Sequence, residues 1–137
     1  LTMPIEGVFH NCVIVSIKKR YPGQARKVMN FIWGMGQMMY TKLIVVVNDD
    51  IALSDLSMVA WRAFNNIDAA RDLVLSEGPL DALDHSSPKP RFGTRLGVDA
   101  TRKLPEEGHD RPWPDPLKMD ERITRLVDGR WREYGFH

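Results

Sequence analysis

Lys42-Leu43-Ile44-Val45-Val46-Val47 is the stretch on which the fold turns. Four of its six residues are β-branched and nothing after Lys42 is polar, so it predicts a strand covered on both faces. Asn48-Asp49-Asp50 ends it. A strand with no wet side implies a parallel sheet with helices front and back.

Upstream, Val8 to Ile17 reads as a second such strand, broken by Lys18-Lys19-Arg20-Tyr21-Pro22-Gly23. A helix is predicted from about Gln24 to Met39, where Ala25, Val28, Met29, Ile32, Gly36 and Met39 recur at helical spacing. Phe31, Met35 and Met38 form a second apolar set, leaving Lys27, Asn30, Gly34 and Gln37 as a narrow polar stripe. One sheet face cannot cover so much, so this helix should be buried from two directions, by the sheet and by another domain or subunit. Gly34 and Gly36 each cost about 1 kcal/mol against alanine in a helix interior, which predicts a frayed or closely packed end.

Downstream, Ser54 has the chemistry of a helix N-cap, followed by Leu56, Val59, Ala60, Ala63, Phe64 and Ile67 on one face. Asp72-Leu73-Val74-Leu75 reads as a third strand. Two successive strand-helix-strand units predict an α/β fold: a mostly parallel sheet with right-handed crossovers, flanked by helices. Residues 77–116 hold seven of the nine prolines and four of the ten glycines, so a long irregular segment is expected there. Helical spacing returns at about 119–134, with Met119, Ile123, Val127, Trp131 and Tyr134 on one stripe that needs a partner surface.

The 137 residues suit a single domain spanning 1–137. Apolar residues make up 43% and charged ones 27%, and 19 basic against 18 acidic residues leave a formal charge of +1. Nothing in that balance asks for nucleic acid or an anionic membrane. Apolar runs fall far short of the roughly 20 residues of a membrane helix. The single cysteine, Cys12, excludes an internal disulfide and fits a reducing compartment, most simply the cytoplasm; within an apolar run it reads as buried and inert. The start at Leu1-Thr2-Met3-Pro4, without an initiator methionine or signal peptide, gives the expectation of a fragment.

No catalytic constellation emerges from spacing. Gly34-Met35-Gly36 lacks the third glycine of a dinucleotide turn and falls late in a helix. His10, His85, His109 and His137 are not spaced as zinc ligands, and no Gly-x-Ser-x-Gly elbow occurs. Asp49 and Asp50 should lie at the carboxyl end of a strand, where open α/β sheets bind ligands, although a turn that caps the next helix is the preferred reading. Arg91, Arg95, Arg102 and Lys103 form a loose basic group, read as a solvated or inter-subunit salt-bridging surface.

Six segments in order carry a resemblance: Val15-Ser16-Ile17-Lys18-Lys19-Arg20-Tyr21-Pro22-Gly23, Met39-Tyr40-Thr41-Lys42, Val47-Asn48-Asp49-Asp50, Ala69-Ala70-Arg71-Asp72, Pro79-Leu80-Asp81-Ala82-Leu83-Asp84 and Gly97-Val98-Asp99-Ala100-Thr101-Arg102-Lys103. Together they resemble the C-terminal part of the UbiD family, especially its 3-octaprenyl-4-hydroxybenzoate decarboxylases, over most of residues 5–116.

The resemblance implies a longer enzyme that decarboxylates aromatic or α,β-unsaturated acids without oxidation, using prenylated FMN with manganese and potassium. Ubiquinone biosynthesis is one setting it suggests. The family's Glu-Arg-Glu catalytic set and its metal ligands belong to an upstream domain, so no catalytic or metal-binding residue is assigned here and the fragment alone is expected to bind no cofactor and to be inactive. By rough alignment, Pro79 and Leu80 fall near the substrate, with Gly78 where some relatives have a bulkier side chain. Tyr40, Thr41 and Lys42 fall near the cofactor, Lys42 as a point charge for its phosphate. The implied partners are the upstream catalytic domain and further copies, as a dimer or hexamer. The competing readings are a stand-alone binding module with its ligand at Asp49 and Asp50, and a purely structural assembly domain.

Overall fold

A computed structural model describes residues 1–8 and 10–135. Its centre is a four-stranded sheet of β1 (Cys12–Ile17), β2 (Leu43–Asn48), β3 (Leu73–Pro79) and β4 (Phe92–Asp99), ordered β1-β2-β4-β3. β2 runs parallel to both β1 and β4, with Val13 opposite Ile44 and Val45 opposite Val98. β3 is antiparallel to β4, so the sheet is mostly parallel, as predicted, with one reversed edge.

Alternation along the strands explains why neither face is wet. Val13, Ile44 and Val46 point to one side and pack with Ala25, Met29, Ile32 and Trp33 of helix α1 (Gln24–Trp33). Ile14, Val47, Val98 and Ala100 point to the other, against Val59 of helix α2 (Leu56–Asn66). Each fully buried side chain of this size contributes roughly 1.5–3 kcal/mol. α1 comes so close to β4 that a Cβ on Gly97 would lie 2.5 Å from the Met29 sulfur, which is why that strand position is glycine.

Several boundaries differ from the sequence reading. β1 starts at Cys12 rather than Val8, because a 3₁₀ turn at Ile5–Gly7 runs into Val8 at φ 41°; Phe9 lies outside the described residues. α1 stops at Trp33, since Met35 is extended and Gly36 takes φ +47°, and a 3₁₀ turn at Gly36–Tyr40 leads into β2. The cap of α2 is Asp55, which accepts from the Met58 N–H, and not Ser54. Its buried face carries Val59, Arg62 and Asn66, while Phe64 is exposed. The expected third strand at Asp72 is preceded by a short helix α3 (Ala69–Asp72), capped by Asp68, and runs antiparallel.

The irregular segment holds more order than its composition suggests, since all of β4 falls inside it. The terminal helix α4 is shorter than expected, Glu121–Gly129 capped by Asp120, and is followed by a 3₁₀ turn at Trp131–Tyr134. α4 has no buried residue, and Phe31 and Met35 of the first helical segment stay exposed. Among the described residues α1 is therefore covered from the sheet side alone.

Candidate functional site

Two connections meet at the amino ends of β1, β2 and β4. One is the 3₁₀ turn ending in Tyr40, whose continuation Thr41-Lys42 enters β2; the other leaves β3 at Pro79 and returns at β4. Pro79 sits exposed opposite Phe92, while Leu80 is 2% exposed and donates its N–H to the Arg91 carbonyl at 3.0 Å. Lys42 joins the two: its Nζ lies 3.0 Å from the Asp84 carboxylate and also donates to Ser86 Oγ. The five residues implicated by resemblance thus lie at one end of the sheet, their two segments tied by this ion pair.

The floor of the site is buried and polar. Thr41 is fully buried, its carbonyl accepts from Trp33 Nε1 at 3.0 Å, and its Oγ1 has no hydrogen-bond partner. Beneath it Arg95 lies 4.9 Å from the centre of the Trp33 ring. Its guanidinium donates to the Met39 carbonyl at 3.0 Å, Ser76 Oγ at 2.9 Å and the Glu77 carbonyl at 3.3 Å. Among the described residues no carboxylate lies within 4 Å of it, and burial lowers its pKa. A Cβ on Gly78 would stand 2.6 Å from that guanidinium, so glycine there makes room for Arg95.

Electrostatics hold the rim. Burial pushes the Asp84 carboxyl up, but hydrogen bonds from Ser86 and Lys42 outweigh it and bring the pKa down to about 2. His10 Nε2 lies 3.2 Å from Asp81 Oδ2, and its ring is 5.8 Å from that of Tyr40. Sequence reasoning did not single out His10, Asp84 or Arg95 as site residues, although Asp84 ends one of the six family-like segments and Arg95 stands between Gly93 and Gly97.

Elsewhere the residues take structural roles. Three of the six family-like segments converge on a buried ion network. Lys103 lies 3.3 Å from Asp99 and 3.5 Å from Asp72, and Lys19 lies 3.3 Å from Asp99 and 2.7 Å from Glu107. Arg71 grips Asp72 with two bonds of 2.9 Å. Burial raises the Asp72 carboxyl, yet Arg71, the Asp68 amide and Lys103 together hold it below its ordinary value. The supposed basic group is thereby corrected: Arg95 and Lys103 are interior, Arg91 is exposed on a loop, and only Arg102 reaches a surface cleft. Asp49 and Asp50 lie at the carboxyl end of β2, where Asp50 pairs with Arg62 at 2.7 Å. Among the described residues no three histidine, cysteine or acidic side chains gather to hold a metal. His137 lies outside those residues. Cys12 is half-buried, and burial raises its thiol pKa. No helix among the described residues is long and apolar enough to cross a membrane.

Comparison with known proteins adds three findings. The model of the 3-octaprenyl-4-hydroxybenzoate carboxy-lyase C-terminal domain matches residues 1–100. An uncharacterised protein of Archaeoglobus fulgidus is 50% identical over 134 residues, and one of Aeropyrum pernix 45% over 136. The alignments cover 97% and 98% of this chain but 28% of either relative, so the chain spans little more than a quarter of their length. Among solved structures, the open form of Sedimentibacter hydroxybenzoicus vanillic acid decarboxylase superposes with a TM-score of 0.73 at 27% identity, over 87% of this chain and 26% of that one. The UbiD-class enzyme HmfF of Pelotomaculum thermopropionicum, in complex with FMN, gives 0.60 at 27% identity, over 76% and 23%.

Proposed function

The chain belongs to the UbiD family, as a 3-octaprenyl-4-hydroxybenzoate carboxy-lyase C-terminal domain, and on that premise we propose that it forms one wall of the active site of a longer non-oxidative decarboxylase. The full protein acts on an aromatic or α,β-unsaturated carboxylic acid, with 3-octaprenyl-4-hydroxybenzoate of ubiquinone biosynthesis as one candidate, and works in the cytoplasm. Its catalytic carboxylates and arginine lie upstream. Residues 1–137 act as one domain that assembles copies into dimers or hexamers.

The observation that carries this reading is the ion pair by which Lys42 meets the loop after Pro79 and Leu80. The residues fit a phosphorylated cofactor: the Lys42 side chain is 38% exposed and its ammonium spends two of its three N–H donors on Asp84 and Ser86, leaving one for a phosphate, and the Thr41 hydroxyl is a buried donor without a partner. Lys42 would hold the phosphate of prenylated FMN, with Thr41 and Tyr40 beside it. When bound, that cofactor supplies the electron sink on which the carboxylate is lost. Manganese and potassium accompany it and take no ligand from this chain. Pro79, exposed at this end of the sheet, presents an apolar edge to the substrate, and the buried Leu80 packs behind it and holds it in place.

Two measurements test this. The 137-residue chain mixed with prenylated FMN and aromatic acids should release no carbon dioxide; turnover would overturn the wall-only role. In the full-length enzyme, Lys42→Met should weaken cofactor binding by roughly tenfold or more, the scale of one lost charge-assisted contact. Unchanged affinity would remove Lys42 from the cofactor site.

A further inference from the structure

A cleft of about 970 Å³ opens at the other end of the sheet, beyond the carboxyl ends of β2 and β4. α2 forms one wall with Trp61 and Arg62, and the segment carrying Arg111 and Trp113 forms the opposite one. Trp113 is fixed in place, its Nε1 donating to the Lys103 carbonyl at 3.0 Å and its ring stacked on His109 at 4.2 Å. Arg102 is fixed at its backbone, whose N–H donates to Asn48 Oδ1 at 2.7 Å.

The charges of this cleft do not balance. Arg71 is neutralised by Asp72. That leaves Arg62, Arg102, Arg111 and Lys118 facing only Asp50 and Asp115. Arg62, 5% exposed, gives one bond of 2.7 Å to Asp50, and Arg102 stands 3.9 Å from the same oxygen. The Nε atoms of Arg62 and Arg102 are both buried and have no hydrogen-bond partner. Buried donors left unpaired cost free energy, and although both Nε atoms lie out of reach, the Arg102 side chain is 30% exposed and can turn its guanidinium to an acceptor entering the cleft.

We propose that this cleft binds a mononucleotide, with the phosphate on the partly exposed Arg102 guanidinium, beside the Asp50-bound Arg62, and the planar ring against Trp61. Guanidinium forks match phosphate oxygens in bidentate fashion, and a dianion answers the surplus of positive charge that Asp50 and Asp115 leave standing. Trp61 is half exposed; the Arg62 guanidinium lies 5.2 Å from its ring centre on one face, and the other face is the one offered for stacking, indifferent to the identity of the base. The volume lies within the ~300–1,000 Å³ of small-molecule sites. Position agrees as well, since open α/β sheets take ligands at the carboxyl ends of their strands.

The test is titration of the chain at low ionic strength with AMP, inorganic phosphate and adenosine, followed by tryptophan fluorescence and calorimetry. AMP should bind saturably and roughly tenfold or more tighter than either part alone, because both contacts contribute. Arg102→Gln and Trp61→Ala should each weaken AMP about tenfold; both side chains are partly exposed, and far-UV circular dichroism checks that the variants fold. Phosphate binding as tightly as AMP, AMP binding unmoved by both substitutions, or no saturation at millimolar AMP would each overturn the proposal.

Discussion

Replacing Arg95 by methionine keeps most of the volume of the stem and removes the charge and its fork. Three acceptors then lose their donor: the carbonyls of Met39 and Glu77 and the hydroxyl of Ser76. The Trp33 face loses its cation as well. Bonds from a charged donor are worth roughly 1.5–3 kcal/mol each, and a desolvated cation–π contact about 2. Against them stands the cost of burying a guanidinium without a counter-ion, several kcal/mol. The acceptors decide the balance, because each one left dry costs about 1–3 kcal/mol. The expected net loss is about 2–3 kcal/mol. In urea unfolding followed by tryptophan fluorescence, with a slope of roughly 1–3 kcal/mol/M, the midpoint should fall by about 1 M at unchanged slope. Arg95→Lys should lose nearly as much, since one ammonium cannot span three acceptors on two segments. A methionine variant as stable as the parent would show that desolvation outweighs the network, and would refute the reasoning.

Gly97→Ala puts a methyl 2.5 Å from the Met29 sulfur and 3.2 Å from the Trp33 ring, and thermal unfolding should register a loss of about 1–3 kcal/mol. Lys103→Met leaves Asp72 and Asp99 short of a buried cation, for which denaturant titration should show about 3–5 kcal/mol. The Asp84 carboxyl has its folded pKa lowered, so its contribution is complete above the unfolded value of about 4 and is lost as pH falls through about 2. Stability measured from pH 5 to pH 2 should therefore drop more steeply in the parent than in Asp84→Asn.

Much of the scaffold was legible because its signals are local. β2 and the buried half of α1 rest on periodicity over a few residues, and their faces fell where the pattern put them. β4 was missed for a physical reason: Gly93, Arg95 and Gly97 interrupt its apolar alternation, yet each suits something distant in sequence. Gly97 accommodates Met29 and Gly93 the Leu80 side chain, while Arg95 answers acceptors on two other segments. α2 turned its face for a similar reason. Arg62 goes inward to reach Asp50 and Asn66 to hold the Ala100 carbonyl, and Phe64 is left outside.

The sequence by itself determined the fold class, the family and two short segments, Tyr40 to Lys42 and Pro79 with Leu80, as places to look. All of these are carried by neighbours in the chain or by segments in a fixed order. Only the tertiary structure decided that the two segments meet, that Asp84 pairs with Lys42, that Arg95 lies buried with no counter-ion among the described residues, and that β3 runs against its neighbour. Those facts depend on which distant groups come within a few ångströms once the sheet is assembled, and charge and burial at that range leave no trace in local periodicity.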